Sequence, residues 1–132
     1  MKVRELMQTE VRTVHRDDIL PDVVTAMADQ HVTALAVMDH DERIIGVIST
    51  ADVLTAQAES ASGDEDWQEI AVEDVMTVPA LTISPDASVA EAAQQLLYAD
   101  VHRLFVVENG ALVGVISQTD LVRAFAAHRL QA

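Results

Sequence analysis

Two short segments repeat one pattern in which a serine is followed three residues later by an aspartate. They are Gly46–Leu54 and Gly114–Val122. A serine hydroxyl and a carboxylate at this spacing can cap the first turn of a helix, where free backbone N–H groups need acceptors. A helix start can also bind an anionic or polyhydroxyl ligand, because an aspartate there can accept hydrogen bonds from two adjacent hydroxyls. The pattern therefore indicates either two structural caps or two ligand sites, at Ser49 with Asp52 and at Ser117 with Asp120.

The duplication extends over most of the chain. Val3–Met7 aligns with Val72–Met76, upstream of the two serine-containing segments. Repetition at this period predicts two copies of one supersecondary unit. The chain has 132 residues, half of them apolar and mostly aliphatic, so we expect the repeats to share a core. The predicted divisions are a first repeat over 1–60, an acidic linker over 61–70 that Trp67 anchors, and a second repeat over 71–132.

Each repeat is predicted to run strand, helix, strand, strand, helix. A strand-helix-strand crossover makes the first two strands parallel, and a hairpin adds an antiparallel third. The fold class is therefore α/β (α+β), with two β-α-β-β-α repeats packed sheet to sheet in pseudo-twofold symmetry. The predicted strands are Val11–Val14, Leu35–Met38 and Ile44–Ile48 in the first repeat, and Ala80–Ile83, Leu104–Val107 and Leu112–Ile116 in the second.

The charge of the chain excludes two classes of partner. There are 22 acidic residues against 8 basic ones, for a net charge of −14. Such a surface repels a nucleic-acid backbone and an anionic membrane. An acidic surface with Lys2 as its one lysine resembles proteins of salt-loving microbes. The chain has no cysteine, no apolar run that predicts a signal peptide and none that predicts a membrane span, so we expect a cytoplasmic protein.

No catalytic or metal site is predicted from motif spacing. The chain lacks a nucleophile-elbow motif and a glycine-rich phosphate loop, and it contains four glycines in all. The five histidines match no metal-ligand spacing, so a metal site could arise only if the fold assembled one. We predict surface positions for His31, His40 and His128, and core packing for Met7 and Met76.

The doubled pattern resembles a tandem pair of CBS domains, named for cystathionine β-synthase. Segments 72–77, 81–92 and 101–107 carry the resemblance, together with the two glycine-containing motifs. The resemblance implies a regulatory module, not an enzyme, that binds AMP, ADP, ATP or S-adenosylmethionine between the repeats and modulates an unknown effector protein. It implies no cofactor apart from this regulatory ligand. The alternative is a structural homodimerisation or protein-interaction module with empty clefts, because capping alone explains the serines and aspartates.

The resemblance also implies the site residues. Asp120 would bind the ribose, Arg103 would face phosphate, and Val32 would contact the adenine. The main cleft would contain Thr13, Val32, Thr33, His102, Arg103, Ser117, Thr119 and Asp120. The second cleft would contain Ser49, Asp52, Thr82 and Val101.

The second cleft departs from the pattern, so weaker binding of phosphorylated ligands is expected there. Ala51 stands in place of Thr119, and Thr33-Ala34 in place of His102-Arg103. CBS pairs commonly form flat dimers through their helices, and a homodimer is therefore expected here. Its contact residues are predicted to include Leu121, Val122, Phe125 and Leu130.

Overall fold

The computed structural model describes residues 1–62 and 66–131, and the side chains of residues 1–60 and 66–127. These residues form two compact units. The first unit is Arg12–Ala80, and the second unit combines Met1–Val11 with Leu81–Ala132. Each unit contains a three-stranded sheet, so the predicted mixed fold class is confirmed.

The first unit follows the predicted element order. β1 is parallel to β2, and β2 is antiparallel to β3. β1 begins at Thr13, later than predicted, because Thr13 is the first residue that pairs with β2. α1 accepts Pro21 in its first turn, where the missing N–H costs no hydrogen bond. The elements are β1 Thr13–His15, α1 Leu20–Gln30, β2 Ala34–Met38, β3 Ile44–Ser49 and α2 Thr50–Ser62.

The second unit repeats this order. The Glu91 N–H donates to Ser88 Oγ at 3.0 Å, which caps the start of the second unit's first helix. Asn109 and Gly110 have φ values of 53° and 82°, as a tight hairpin turn between twisted strands requires. The elements are β4 Thr82–Ile83, α3 Val89–Ala99, β5 Arg103–Glu108, β6 Ala111–Ser117 and α4 Gln118–Gln131.

The segment that precedes each repeat packs in the unit built mainly by the other repeat. Val3–Glu5 and Val72–Asp74 form short 3-10 helices in the second and first units. Gln8 and Val115 exchange backbone hydrogen bonds of 2.9 Å, and Thr77 and Val47 exchange bonds of 2.8 and 2.9 Å. The compact units therefore differ from the sequence repeats 1–60 and 71–132, because each repeat contributes its first segment to the other unit.

Two glycines make these backbone contacts possible. A Cβ at Gly46 would lie 2.9 Å from the Thr77 carbonyl oxygen. A Cβ at Gly114 would lie 2.7 Å from Met7 Sδ and 2.9 Å from the Gln8 carbonyl oxygen. Real Cβ atoms do not approach other atoms so closely, so both strands need glycine here.

Each unit has its own aliphatic core, so two cores stand in place of the single shared core that was expected, and each contains one residue from the other repeat's first segment, Val72 or Val3. Trp67 packs against the core of the first unit, and its backbone N–H donates to Ser60 Oγ at 2.8 Å. Met76 and Met7 pack against the first and second cores. The largest fully buried side chains are Leu20, Leu35 and Ile48 in the first unit and Leu96, Leu104 and Ile116 in the second. Among the described residues, no helix combines the length and apolar character that crossing a membrane requires.

Candidate functional site

Both Ser-x-x-Asp motifs form reciprocal helix caps. The Ser49 N–H donates to Asp52 Oδ2 at 2.9 Å, and the Asp52 N–H donates to Ser49 Oγ at 3.2 Å. Ser117 and Asp120 make the same two bonds at the same distances. α2 and α4 therefore begin at identical capping boxes, which confirms the structural function expected of these residues.

The two aspartates also accept hydrogen bonds from the preceding segments of their units. Gln8 Nε2 donates to Asp120 Oδ1 at 3.1 Å. Thr77 Oγ1 lies 3.2 Å from Asp52 Oδ1 and 3.3 Å from Asp52 Oδ2. Sequence reasoning missed Gln8 and Thr77 as partners of these carboxylates. Each follows the methionine of its aligned segment, a shared position that could have suggested a shared contact.

The loop before each second strand lies beside the capped helix start of the same unit. The Gln118 N–H donates to the His102 carbonyl oxygen at 2.9 Å, and Gln118 Nε2 donates to the Val101 carbonyl oxygen at 3.0 Å. In the first unit the Thr50 N–H donates to the Thr33 carbonyl oxygen at 2.9 Å. Each unit thus places loop and helix-start residues at one end of its hairpin.

The strand register defines an important difference between the units. Arg103 pairs with Ser117, and Ala34 occupies the same register position opposite Ser49. At this position the second unit therefore has the Arg103 guanidinium, and the first unit has the Ala34 methyl group. Burial lowers the pKa of Arg103, because removal from water disfavours the charged form. The group stays protonated at neutral pH, since arginine loses its proton only under strongly basic conditions.

The predicted site residues fall into two local groups. The first-unit group contains Thr13, Val32, Thr33, Ser49 and Asp52, and Thr13 is the exposed first residue of β1. The second-unit group contains the remaining predicted residues, Thr82, Val101, His102, Arg103, Ser117, Thr119 and Asp120. Both predicted clefts combine residues of the two units, so their composition stays a prediction.

The structure also defines the surroundings of Arg16 and of the residues predicted at a dimer contact. Arg16 binds the Glu73 carboxylate through two nitrogens at 2.6 and 2.7 Å, and its hydrogen bond to Glu73 raises the Arg16 pKa. Leu121, predicted at a dimer contact, is instead 4% exposed and packs in the second core. Val122 and Phe125 are exposed on α4, whereas the Leu130 side chain lies outside the described residues.

The fold also gathers ligand-type side chains that spacing did not reveal. His15, Asp17 and His40 bring two ring nitrogens and a carboxylate oxygen within 4.8 Å of one another. His31 and His40 are exposed as predicted, and the side chain of His128 lies outside the described range.

Comparison with known proteins identifies the family. A family model described as the CBS domain matches residues 3–59 and 72–127. The chain belongs to the CBS domain family. This CBS-domain chain is 26% identical to CBSX2, whose crystal structure was determined in complex with AMP. The similarity covers 97% of this chain and 98% of CBSX2, with a TM-score of 0.84.

Two curated relatives are longer proteins that match this chain over part of their own length. The chain is 27% identical to inosine-5'-monophosphate dehydrogenase of Methanocaldococcus jannaschii, over 92% of this chain and 23% of that enzyme. It is 26% identical to homoserine O-acetyltransferase of Methanosalsum zhilinae, over 96% of this chain and 24% of that enzyme. The CBS-domain chain therefore spans about a quarter of the length of these two relatives.

Proposed function

We propose that this CBS-domain chain is a regulatory module that binds an adenosine-type nucleotide and modulates a partner protein. The observation that carries the proposal is the Asp120 carboxylate, fixed at a capped helix start beside His102 and the first residue of β5, Arg103. A ribose has two adjacent hydroxyls that suit one carboxylate, and a phosphate suits a guanidinium. The likeness to CBSX2, a structure with bound AMP, supports this ligand class.

Asp120 keeps hydrogen-bonding capacity for a ligand. Its Oδ1 accepts one bond from Gln8 and its Oδ2 accepts one from Ser117, within the described residues. An ionised carboxylate offers about four lone-pair sites, so about one site on each oxygen is available for a hydroxyl. The existing bonds also fix the carboxylate orientation before a ligand arrives, which lowers the entropic cost of binding.

Asp52 is less suited to the same function. Its carboxylate accepts a bond from the Ser49 N–H at Oδ2, and the single Thr77 hydroxyl lies 3.2 Å from Oδ1 and 3.3 Å from Oδ2, where it occupies space at both oxygens. The unit also has Ala34 where the other has Arg103. These differences support the proposal that the cleft of Ser49, Asp52, Thr82 and Val101 binds phosphorylated ligands more weakly than the cleft that contains Asp120.

The curated relatives support a regulatory and not a catalytic function. Inosine-5'-monophosphate dehydrogenase and homoserine O-acetyltransferase differ in the reactions their names state, yet each matches this chain over about a quarter of its own length. A segment present in two enzymes with different reactions is suited to regulating them and not to catalysing either reaction. We therefore propose that a ligand shifts the population of conformations and that an effector protein responds to the shift.

Calorimetric titration with AMP, ADP, ATP and S-adenosylmethionine tests the proposal. Asp120→Asn should weaken the tightest site about tenfold or more, because a hydrogen bond to a charged group contributes about 1.5–3 kcal/mol. Asp52→Asn is the matched control, since it alters the equivalent carboxylate and should leave that site unchanged. Circular dichroism verifies folding of both variants. Equal affinity of Asp120→Asn and the parent would refute the assignment, and two equal sites would refute the asymmetry.

Thermal unfolding separates this proposal from the structural alternative. A ligand at 100 times its Kd raises the free energy of unfolding by about 2.7 kcal/mol, so the melting temperature must rise. The measurement should be made at low and high salt, because the net charge of −14 repels an anionic nucleotide until salt screens it. No rise with any of the four ligands at either salt concentration would favour the dimerisation module with empty clefts.

We also propose that the chain forms a homodimer. Val122 and Phe125 are 64% and 53% exposed on α4, in line with an apolar contact to a second copy. The two residues are three positions apart and therefore lie on one face of the helix, and a contiguous exposed apolar patch marks an interaction site.

A further inference from the structure

We propose that His15, Asp17 and His40 form a binding site for a divalent transition-metal ion of the zinc class. The three side chains come from the end of β1, the turn that follows it, and the hairpin between β2 and β3. Two imidazoles and one carboxylate are a ligand set that binds Zn²⁺, whereas Ca²⁺ and Mg²⁺ prefer oxygen ligands alone.

The distances fit a metal centre. Asp17 Oδ2 lies 3.5 Å from His15 Nδ1 and 3.0 Å from His40 Nε2. Metal–ligand bonds of about 2.0–2.2 Å in a tetrahedron place ligand atoms about 3.3 Å apart. His15 Nδ1 accepts only a long hydrogen bond of 3.3 Å from the Asp17 N–H, and an ion would replace that donor. The imidazoles are tilted by 53° with ring centroids 4.5 Å apart, so small rotations can direct both nitrogens at one point.

Neighbouring hydrogen bonds hold the three ligand residues in place. The His15 N–H donates to Asp18 Oδ2 at 2.8 Å, which closes the turn around Asp17. The Arg16 N–H donates to the Met38 carbonyl oxygen at 3.0 Å, which ties this turn to the end of β2. Asp39 Oδ1 accepts two N–H bonds within the hairpin that carries His40. Such support positions ligands before the ion binds.

The electrostatic environment favours a cation. The nearby Arg16 guanidinium forms an ion pair with Glu73 at 2.6 Å, so its positive charge is offset by that carboxylate. The chain carries a net charge of −14, which raises the local concentration of divalent cations. The side chains of His15, Asp17 and His40 are 32%, 57% and 71% exposed, so the site is open to ion exchange and leaves a fourth position for water.

Titration with zinc chloride tests this site in the full chain, without an affinity tag and after chelator treatment. The parent should bind one zinc ion saturably and melt at a higher temperature with zinc present. His40→Gln and Asp17→Asn should each lose this ion, while His31→Asn removes another exposed histidine and should retain it. Asparagine suits position 31, where φ is 53°.

Specificity and location provide further readouts. Magnesium and calcium chloride at the same concentration should produce neither the binding heat nor the thermal shift. Nuclear magnetic resonance should show zinc-dependent shifts at the imidazoles of His15 and His40 and none at His31. Absence of saturable zinc binding, or equal zinc binding by the parent and both ligand variants, would overturn the proposal.

Discussion

Replacing Gly114 by alanine should separate the Met7-Gln8 segment from β6. The added Cβ would lie 2.7 Å from Met7 Sδ and 2.9 Å from the Gln8 carbonyl oxygen. The thioether is flexible and can move aside, but the carbonyl belongs to the backbone that pairs with Val115. The segment must therefore shift, which also withdraws the Gln8 side chain from Asp120.

The magnitude follows from these contacts. Overpacking a well-packed interior costs about 1–3 kcal/mol. Two backbone hydrogen bonds of 2.9 Å, between Gln8 and Val115, are weakened, and each contributes about 0.5–1.5 kcal/mol. Alanine in a strand interior is otherwise more favourable than glycine by roughly 0.5–1 kcal/mol. We expect Gly114→Ala to lower the free energy of unfolding by about 2–4 kcal/mol.

Urea unfolding followed by circular dichroism measures this change. The midpoint should fall while the dependence on urea stays the same, since the surface exposed on unfolding is unchanged. Gly110→Asn is a matched control in the preceding turn, because a Cβ there meets nothing within 4 Å and asparagine tolerates the φ of 82°. A Gly114→Ala protein as stable as the parent would refute the argument that the close approach requires glycine.

Three further predictions concern caps, titration and association. Ser49→Ala and Ser117→Ala should each lower the free energy of unfolding by about 1 kcal/mol, because each removes the acceptor for an N–H at a helix start. Urea unfolding measures the loss, with Thr119→Ala as a control that leaves both caps intact, and serine variants as stable as the parent would contradict the prediction. The N–H groups of Arg43 and Asp41 donate to the Asp39 carboxylate and lower its pKa. Ionised Asp39 therefore stabilises the folded protein above the unfolded pKa near 3.8, and this stabilisation is lost as the pH falls through the lower folded pKa; a carbon-13 titration midpoint at or above 3.8 would disprove this. Phe125→Glu should yield monomers in sedimentation where the parent and Val78→Glu form dimers, and a parent that is monomeric at high concentration would exclude the homodimer.

The local elements could be predicted because their causes lie close together in the chain. Ser88 caps α3 through an N–H three residues away, and Asn109-Gly110 forms the hairpin turn through its own backbone angles. The boundaries of β1 could not be predicted in the same way. Thr13 belongs to the strand because it pairs with Ala36 of β2, whereas Val11 has no pairing residue on β2.

The candidate site was predictable only in part. The motif containing Ser117 and Asp120 indicated a capped helix start, and the structure contains the cap with both reciprocal bonds. The Gln8 bond to Asp120 and the Thr77 bond to Asp52 join residues 112 and 25 positions apart, and their shared position after a methionine was the one sequence signal for them. The prediction for Leu121 was wrong because helical periodicity does not tell a core-facing apolar residue from one exposed for association.

The sequence by itself determined the duplication, the order of elements, the helix caps and the membership of the CBS domain family. These features depend on residue types and on hydrogen bonds between near neighbours, which the linear order specifies. Only the tertiary structure decided that each repeat gives its first segment to the other unit and that His15, Asp17 and His40 converge. Such contacts join positions far apart in the chain, and they arise from packing and strand pairing that local spacing does not encode.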